Sequence, residues 1–264
     1  MPRRIALLGA TGATGQQVLR NLLTQNVSIN IYVRSKGKLL DLFPSIDTNP
    51  KVHIYAGDIS DQDLITSLLT NVSIIIFTLG WNENRPGTHI IEDGARAIIT
   101  SLQSLQDSGT LKTPPRLLLL SSSTWNTHLN GQNPSLLVRI IRTAFYHPYA
   151  DLLAGQRVVH AHPSLIRVTL VQPPALVDQT PSGHDLSVEK VGVATSYPDL
   201  GNAIVEIALE ERHQNLAKVL VSSKNGYEFG KYAGVILPKV VKGLAASLIP
   251  GFWSIHDFLE RFWS

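Results

Sequence analysis

Residues 5–15 read Ile5-Ala6-Leu7-Leu8-Gly9-Ala10-Thr11-Gly12-Ala13-Thr14-Gly15. A short apolar run ends in three glycines spaced by three. A helical pattern follows, with Val18, Leu19, Leu22 and Leu23 on one face. This is the order strand, glycine turn, helix. Gly9 permits a sharp exit from the strand, Gly12 lets backbone approach a pyrophosphate, and Gly15 lets the helix pack close to the sheet. The helix N-terminus adds unpaired N–H groups and a positive dipole end. Gly9, Thr11, Gly12, Ala13, Thr14 and Gly15 are therefore expected to hold a dinucleotide.

The same alternation continues along the chain. Ile29–Val33, Val52–Tyr55, Val72–Leu79, Leu117–Leu120, Leu165–Val171 and Ala217–Val221 read as strands. Between them lie helical patterns, including Ile91, Ala95, Ile98, Leu102 and Leu105, and Leu200, Ala203, Ile204, Ile207 and Ala208. Ser60 and Asp63 suggest a capping box for the helix carrying Leu64, Ile65, Leu68 and Leu69. Repeated β–α units predict an α/β fold, a doubly wound parallel sheet with helices on both faces. No linker, repeat or low-complexity tract divides the 264 residues. A single domain over 1–264 is expected, with a dinucleotide-binding half (1–125), a substrate-side half (126–222) and a C-terminal helical extension (223–264).

Composition excludes several classes. A net charge of +3 without a dense basic run does not imply nucleic acid. With no cysteine there is no disulfide framework, thiolate metal site or Cys nucleophile. His128, His147, His160 and His162 fall in the substrate-side half, but His160 and His162 are two apart and do not share a helical face, so no metal site is expected. Met1-Pro2-Arg3-Arg4 leads straight into the first strand, leaving no room for a signal peptide, and a cytoplasmic protein is expected.

At the end of the second strand an acidic residue would accept from a ribose 2′-hydroxyl. This chain has Arg34, with Ser35 and Lys38 nearby, a set suited to a 2′-phosphate, so NADP is the expected cofactor. Asp58, after the third strand, either meets the adenine edge or caps the next helix. Ser122 and Ser123 end the fifth strand, where ligands sit in such sheets. Tyr149 and Asp151 are candidates to face the cleft from the following helix. Trp81 and Trp125 follow the fourth and fifth strands and suit a planar apolar substrate.

The glycine turn, Val33-Arg34-Ser35, Ala56-Gly57-Asp58 and the serine-rich strand end together resemble the atypical short-chain dehydrogenases. The chain is most similar to their NmrA-like and biliverdin/flavin-reductase-type group, in Leu79-Gly80 through Glu92-Asp93-Gly94-Ala95-Arg96 and in Gln172-Pro173-Pro174-Ala175-Leu176-Val177-Asp178-Gln179. The resemblance covers residues 3–222. It implies a Rossmann-type sheet, cofactor contacts at Leu79, Gly80 and Pro173, and a small hydrophobic substrate, aromatic or polycyclic, of the kind found in secondary metabolism. The wider family places a Lys four residues after its catalytic Tyr. Here Tyr146 is followed at that spacing by Ala150 and Tyr149 by Leu153. A reductase is the leading expectation. A non-redox isomerase or cyclase, and an NADP-sensing regulator, are the alternatives.

Beyond residue 222, Val240, Val241, Leu244, Ala245, Leu248 and Ile249 form one apolar stripe; Ile255, Phe258, Leu259, Phe262 and Trp263 form a second. Two short amphipathic helices are expected, packed on the body, lying at a membrane surface, lidding the cleft or forming a dimer face.

Overall fold

The computed structural model describes residues 3–126, 129 and 135–263. His128 and the side chains of Phe262 and Trp263 lie outside the described residues.

Eight strands form the main sheet: β1 (Arg4–Leu8), β2 (Ser28–Val33), β3 (Val52–Ala56), β4 (Ile74–Phe77), β5 (Arg116–Leu120), β6 (Arg167–Gln172), β10 (Lys218–Ser223) and β8 (His184–Ser187). Their order is β3-β2-β1-β4-β5-β6-β10-β8. All neighbours are parallel except β8, which runs antiparallel to β10. The order reverses between β1 and β4, the point at which such sheets bind ligands beyond the carboxyl ends of their strands. β7 (Ala175–Val177) pairs with β9 (Ala194–Ser196) in a separate small sheet.

The helices are α1 (Ala13–Leu23), α2 (Lys36–Leu42), α3 (Gln62–Leu69), α4 (Ile90–Asp107), α5 (Ser135–Ala144), α6 (Tyr146–His160), α7 (Tyr197–Leu209), α8 (Phe229–Leu248) and α9 (Phe252–Trp263). β1 is buried on both faces, as its unbroken apolar run predicts. Ile5 and Leu7 join Val18, Leu22, Ile31 and Ile204 under α1 and α7. Ala6 and Leu8 join Leu68, Ile75, Ile98 and Leu117 under α3 and α4.

Three local expectations are corrected. Helix α3 is capped by Asp61, whose carboxylate accepts from the Leu64 N–H at 3.0 Å, and not by a Ser60–Asp63 box. Residues 229–248 form one helix that runs through Pro238, so the extension is one long helix and one short. Gly234, whose carbonyl loses its partner at Pro238, is exposed, and water can satisfy that oxygen. The predicted stripes are only partly covered: Val240, Leu244 and Ala245 are half-buried and Ile249 is exposed. Tyr232 and Gly243 are the buried residues of α8, while Val241 and Leu248 are exposed. On α9, Ile255 and Leu259 are exposed, and Trp253 and His256 turn inward. No described helix is long and apolar enough to cross a membrane.

Candidate active site

The glycine turn has the shape its spacing predicts. Gly9 has φ +100°, a conformation open to glycine, and a Cβ there would lie 2.6 Å from Thr78 Oγ1. Its carbonyl accepts from the Gly12 N–H at 3.0 Å, which closes the turn. A Cβ on Gly15 would fall 1.9 Å from that same carbonyl oxygen. At Gly12 the nearest atom to such a Cβ is 3.4 Å away, so the turn's outer side is open. No side chain caps Gly12 and no acidic residue lies in the first turn of α1. The N–H groups of Ala13, Thr14 and Gly15 have no intrahelical acceptor. Thr14 buries its side chain and offers backbone only, and the Thr11 carbonyl accepts from Gln16. An uncapped, open, carboxylate-free helix start fits the pyrophosphate of a dinucleotide.

Arg34, Ser35 and Lys38 are all exposed at the end of β2. Ser35 Oγ caps α2 by accepting from the Lys38 N–H. Asp58 accepts from the N–H and hydroxyl of Ser60 at 2.9 and 2.7 Å. Those bonds, aided by Arg34, hold its carboxyl below the usual range. Asp58 thus shapes the turn before α3 without capping that helix. Thr78 ties the start of the β4 loop to β1 through Leu8 O, placing Leu79 and Gly80 beside the glycine turn. Pro173 is buried, and its carbonyl accepts from the Ser123 N–H at 3.0 Å.

At the carboxyl end of β5 the chain brings Ser122 and Tyr149 together. Ser122 Oγ and Tyr149 OH share a hydrogen bond of 3.2 Å, and Tyr149 OH also donates to Thr124 Oγ1 at 3.2 Å. The edge of Trp125 meets Tyr149, with centroids 5.8 Å apart. Leu153 occupies the position four residues on, yet a cation is near. Arg142 stacks 4.0 Å from the centroid of Trp125 and donates to Thr124 O. Thr124 and Arg142 are members of the site that sequence reasoning missed; the apolar pattern of α5 concealed which of its residues turns inward. Ser123 is half-buried and tied to Pro173 through its backbone. Trp81 is exposed on the rim. Trp125 is half-buried against Tyr149, with Nε1 buried and without a partner.

Asp151 is a correction. Its buried carboxylate accepts from the N–H groups of Ile91 and Glu92 at 3.0 and 2.9 Å, and so caps α4 from a neighbouring helix. Burial pushes its carboxyl up, against those two bonds. With both oxygens engaged it does not face the cleft. The histidines do not converge: His160 is exposed, and His162 Nδ1 bonds Val158 O. Two other groups of potential metal ligands, Glu206–Glu210–His213 and His256–Asp257–Glu260, have carboxylates already engaged by Arg212 and Arg85.

The extension packs on the body and grips the loop after β4. Buried Asn84 donates to Gly243 O and Ser247 Oγ of α8, and its carbonyl accepts from Trp253 Nε1 of α9. Arg85 pairs through both nitrogens with Asp257 and stacks 4.2 Å from the Trp253 centroid. Glu83 pairs with Lys242 at 3.0 Å.

A glycine turn at the switch point of a parallel sheet, with an uncapped helix behind it, defines a nicotinamide-dinucleotide-binding Rossmann protein. The model of an NAD(P)H-binding family matches residues 9–217, and the chain belongs to that family. Averufin oxidase A of Aspergillus flavus is 37% identical over 257 residues, 92% of this chain and 90% of the relative. An oxidoreductase of Pestalotiopsis microspora is 34% identical over 259 residues, 96% of each chain. Among solved structures, a short-chain dehydrogenase/reductase from Veillonella parvula in complex with NADP superimposes with a TM-score of 0.62, at 16% identity, over 86% of this chain and 98% of that one. The fold and the relatives are those of an NAD(P)-binding oxidoreductase of the atypical short-chain type.

Proposed function

We propose that this protein is an NADP-dependent reductase acting on a small, planar, hydrophobic molecule of secondary metabolism. The observation that carries the reading is the Ser122–Tyr149 pair at the end of β5, the strand next to the β1–β4 switch point. The bound cofactor would supply a hydride. Ser122 and Tyr149 would hold the substrate oxygen that gains negative charge, and Tyr149 OH would deliver the proton, with Thr124 orienting it. Trp81 and Trp125 flank the planar substrate. One relative is named as an averufin oxidase, which supports redox chemistry of this kind. Leu153 favours a second reading, a non-redox isomerase or cyclase, because no lysine tunes the tyrosine.

The deciding experiment is NADPH consumption by purified protein with a panel of planar quinones and enones. Consumption supports the reductase; cofactor binding without consumption across the panel favours the second reading. Tyr149→Phe should lower kcat by about 10²-fold, the lower end for a general acid, with KM little changed. An unchanged kcat removes Tyr149 from the chemistry.

The NADP preference rests on the exposed Arg34, Ser35 and Lys38 and on the absence of an acid at the end of β2. Arg34→Ala should weaken NADPH binding by roughly 1–2 kcal/mol and leave NADH nearly unchanged, as titration calorimetry would read. Equal losses for both cofactors would refute the 2′-phosphate assignment.

A further inference from the structure

A cavity of about 780 Å³ opens on the seam between α5 and α8. That volume is in the range of small-molecule sites, about 300–1,000 Å³. Val138 and Leu248 give it apolar walls, Tyr146 and Ser247 add hydroxyls, and Arg139 and Arg142 line it from successive turns of α5. No carboxylate lines it among the described residues. The nearest acids of the clamp are already engaged, Glu83 by Lys242 and Asp257 by Arg85. Arg139 is exposed and makes no ion pair among the described residues. His147 also lines the cavity, and burial pushes its imidazole down, so the positive field there belongs to the arginines.

One residue of the cavity wall also touches the site. Arg142, on its wall, lies over Trp125 and donates to Thr124 O, and Thr124 Oγ1 accepts from Tyr149. Trp125 Nε1 is a buried donor without a partner among the described residues. We propose that this cavity is a binding site for an anionic aromatic molecule, whose ionised oxygen is held by Arg139 and whose rings lie against Val138 and Leu248. Guanidinium recognises a carboxylate or phenolate by charge-assisted hydrogen bonds, and the apolar walls take the rings. This binding site does not depend on the reductase reading.

The test uses the full chain and two probes, anthraquinone-2-carboxylate and its neutral methyl ester. Calorimetry should show the acid binding about tenfold more tightly than the ester, a preference that shrinks with added salt. Arg139→Gln should abolish the preference by weakening the acid alone, with NADPH affinity unchanged. Equal binding of acid and ester by the wild type, failure of both to bind, or a preference that survives in Arg139→Gln would each overturn the proposal. NADPH consumption with the same probes separates the two claims. An Arg139-dependent preference upholds the cavity whether or not NADPH is consumed. Consumption without preference overturns the cavity and leaves the reductase reading in place.

Discussion

Alanine at Gly15 is expected to weaken NADPH binding by about 10³-fold, equivalent to about 4 kcal/mol. The new Cβ would lie 1.9 Å from Gly9 O, inside any tolerable contact, and backbone on both sides leaves no flexible side chain to yield. Either the turn opens or α1 moves away from it, and both separate the open face of Gly12 from the helix N-terminus. The sheet core under α1 is built from Val18, Leu19 and Leu22, which need not move far, so the fold should survive. Calorimetry with NADPH, alongside circular dichroism to confirm folding, checks this. A folded variant with wild-type affinity would show that the turn is not the phosphate site.

The second large effect is on stability. Asp151→Ala removes the acceptor for two N–H groups at the start of α4 and leaves them buried beside an apolar cluster. Helix caps contribute up to about 2 kcal/mol, and stranded buried donors cost more, so a loss of about 3 kcal/mol is expected. The effect has a pH signature. Burial raises the folded-state pKa of Asp151, so the folded state binds the proton more tightly than the unfolded state. Wild-type stability therefore falls as pH rises from about 3.9, the ordinary aspartate value, through the raised folded value. The variant lacks this contribution, and the gap between the two should narrow as pH rises through that window. Urea midpoints between acid and neutral pH measure it. A gap that widens with pH would mean that burial does not dominate at Asp151.

Much of the site was legible because the information is local. The glycine spacing, the strand ending in Ser122 and the basic residues after β2 each lie within a few residues of the feature they serve. The pairing of Ser122 with Tyr149 was legible as two candidates but not as a contact, since it depends on how α6 crosses the end of β5. Asp151 looked like a cleft residue because a helix cap supplied from another helix leaves no sequence signature. Strands β7 and β9, three residues each, are too short for period-two alternation to register. Proline usually ends a helix, but α8 continues through Pro238 because it is held on both sides of it by buried Tyr232 and Gly243.

The grip of α8 and α9 on Glu83, Asn84 and Arg85 has an evolutionary consequence. Every strand of the sheet, and the glycine turn with it, is encoded before residue 224. One wall of the α5–α8 cavity and the clamp on the loop are encoded after residue 228. Exchange of the 3′ part of the coding sequence between related genes would replace that wall and re-seat the loop in a single event, leaving the nucleotide half intact. The cavity wall and the glycine turn are thus separable along the gene.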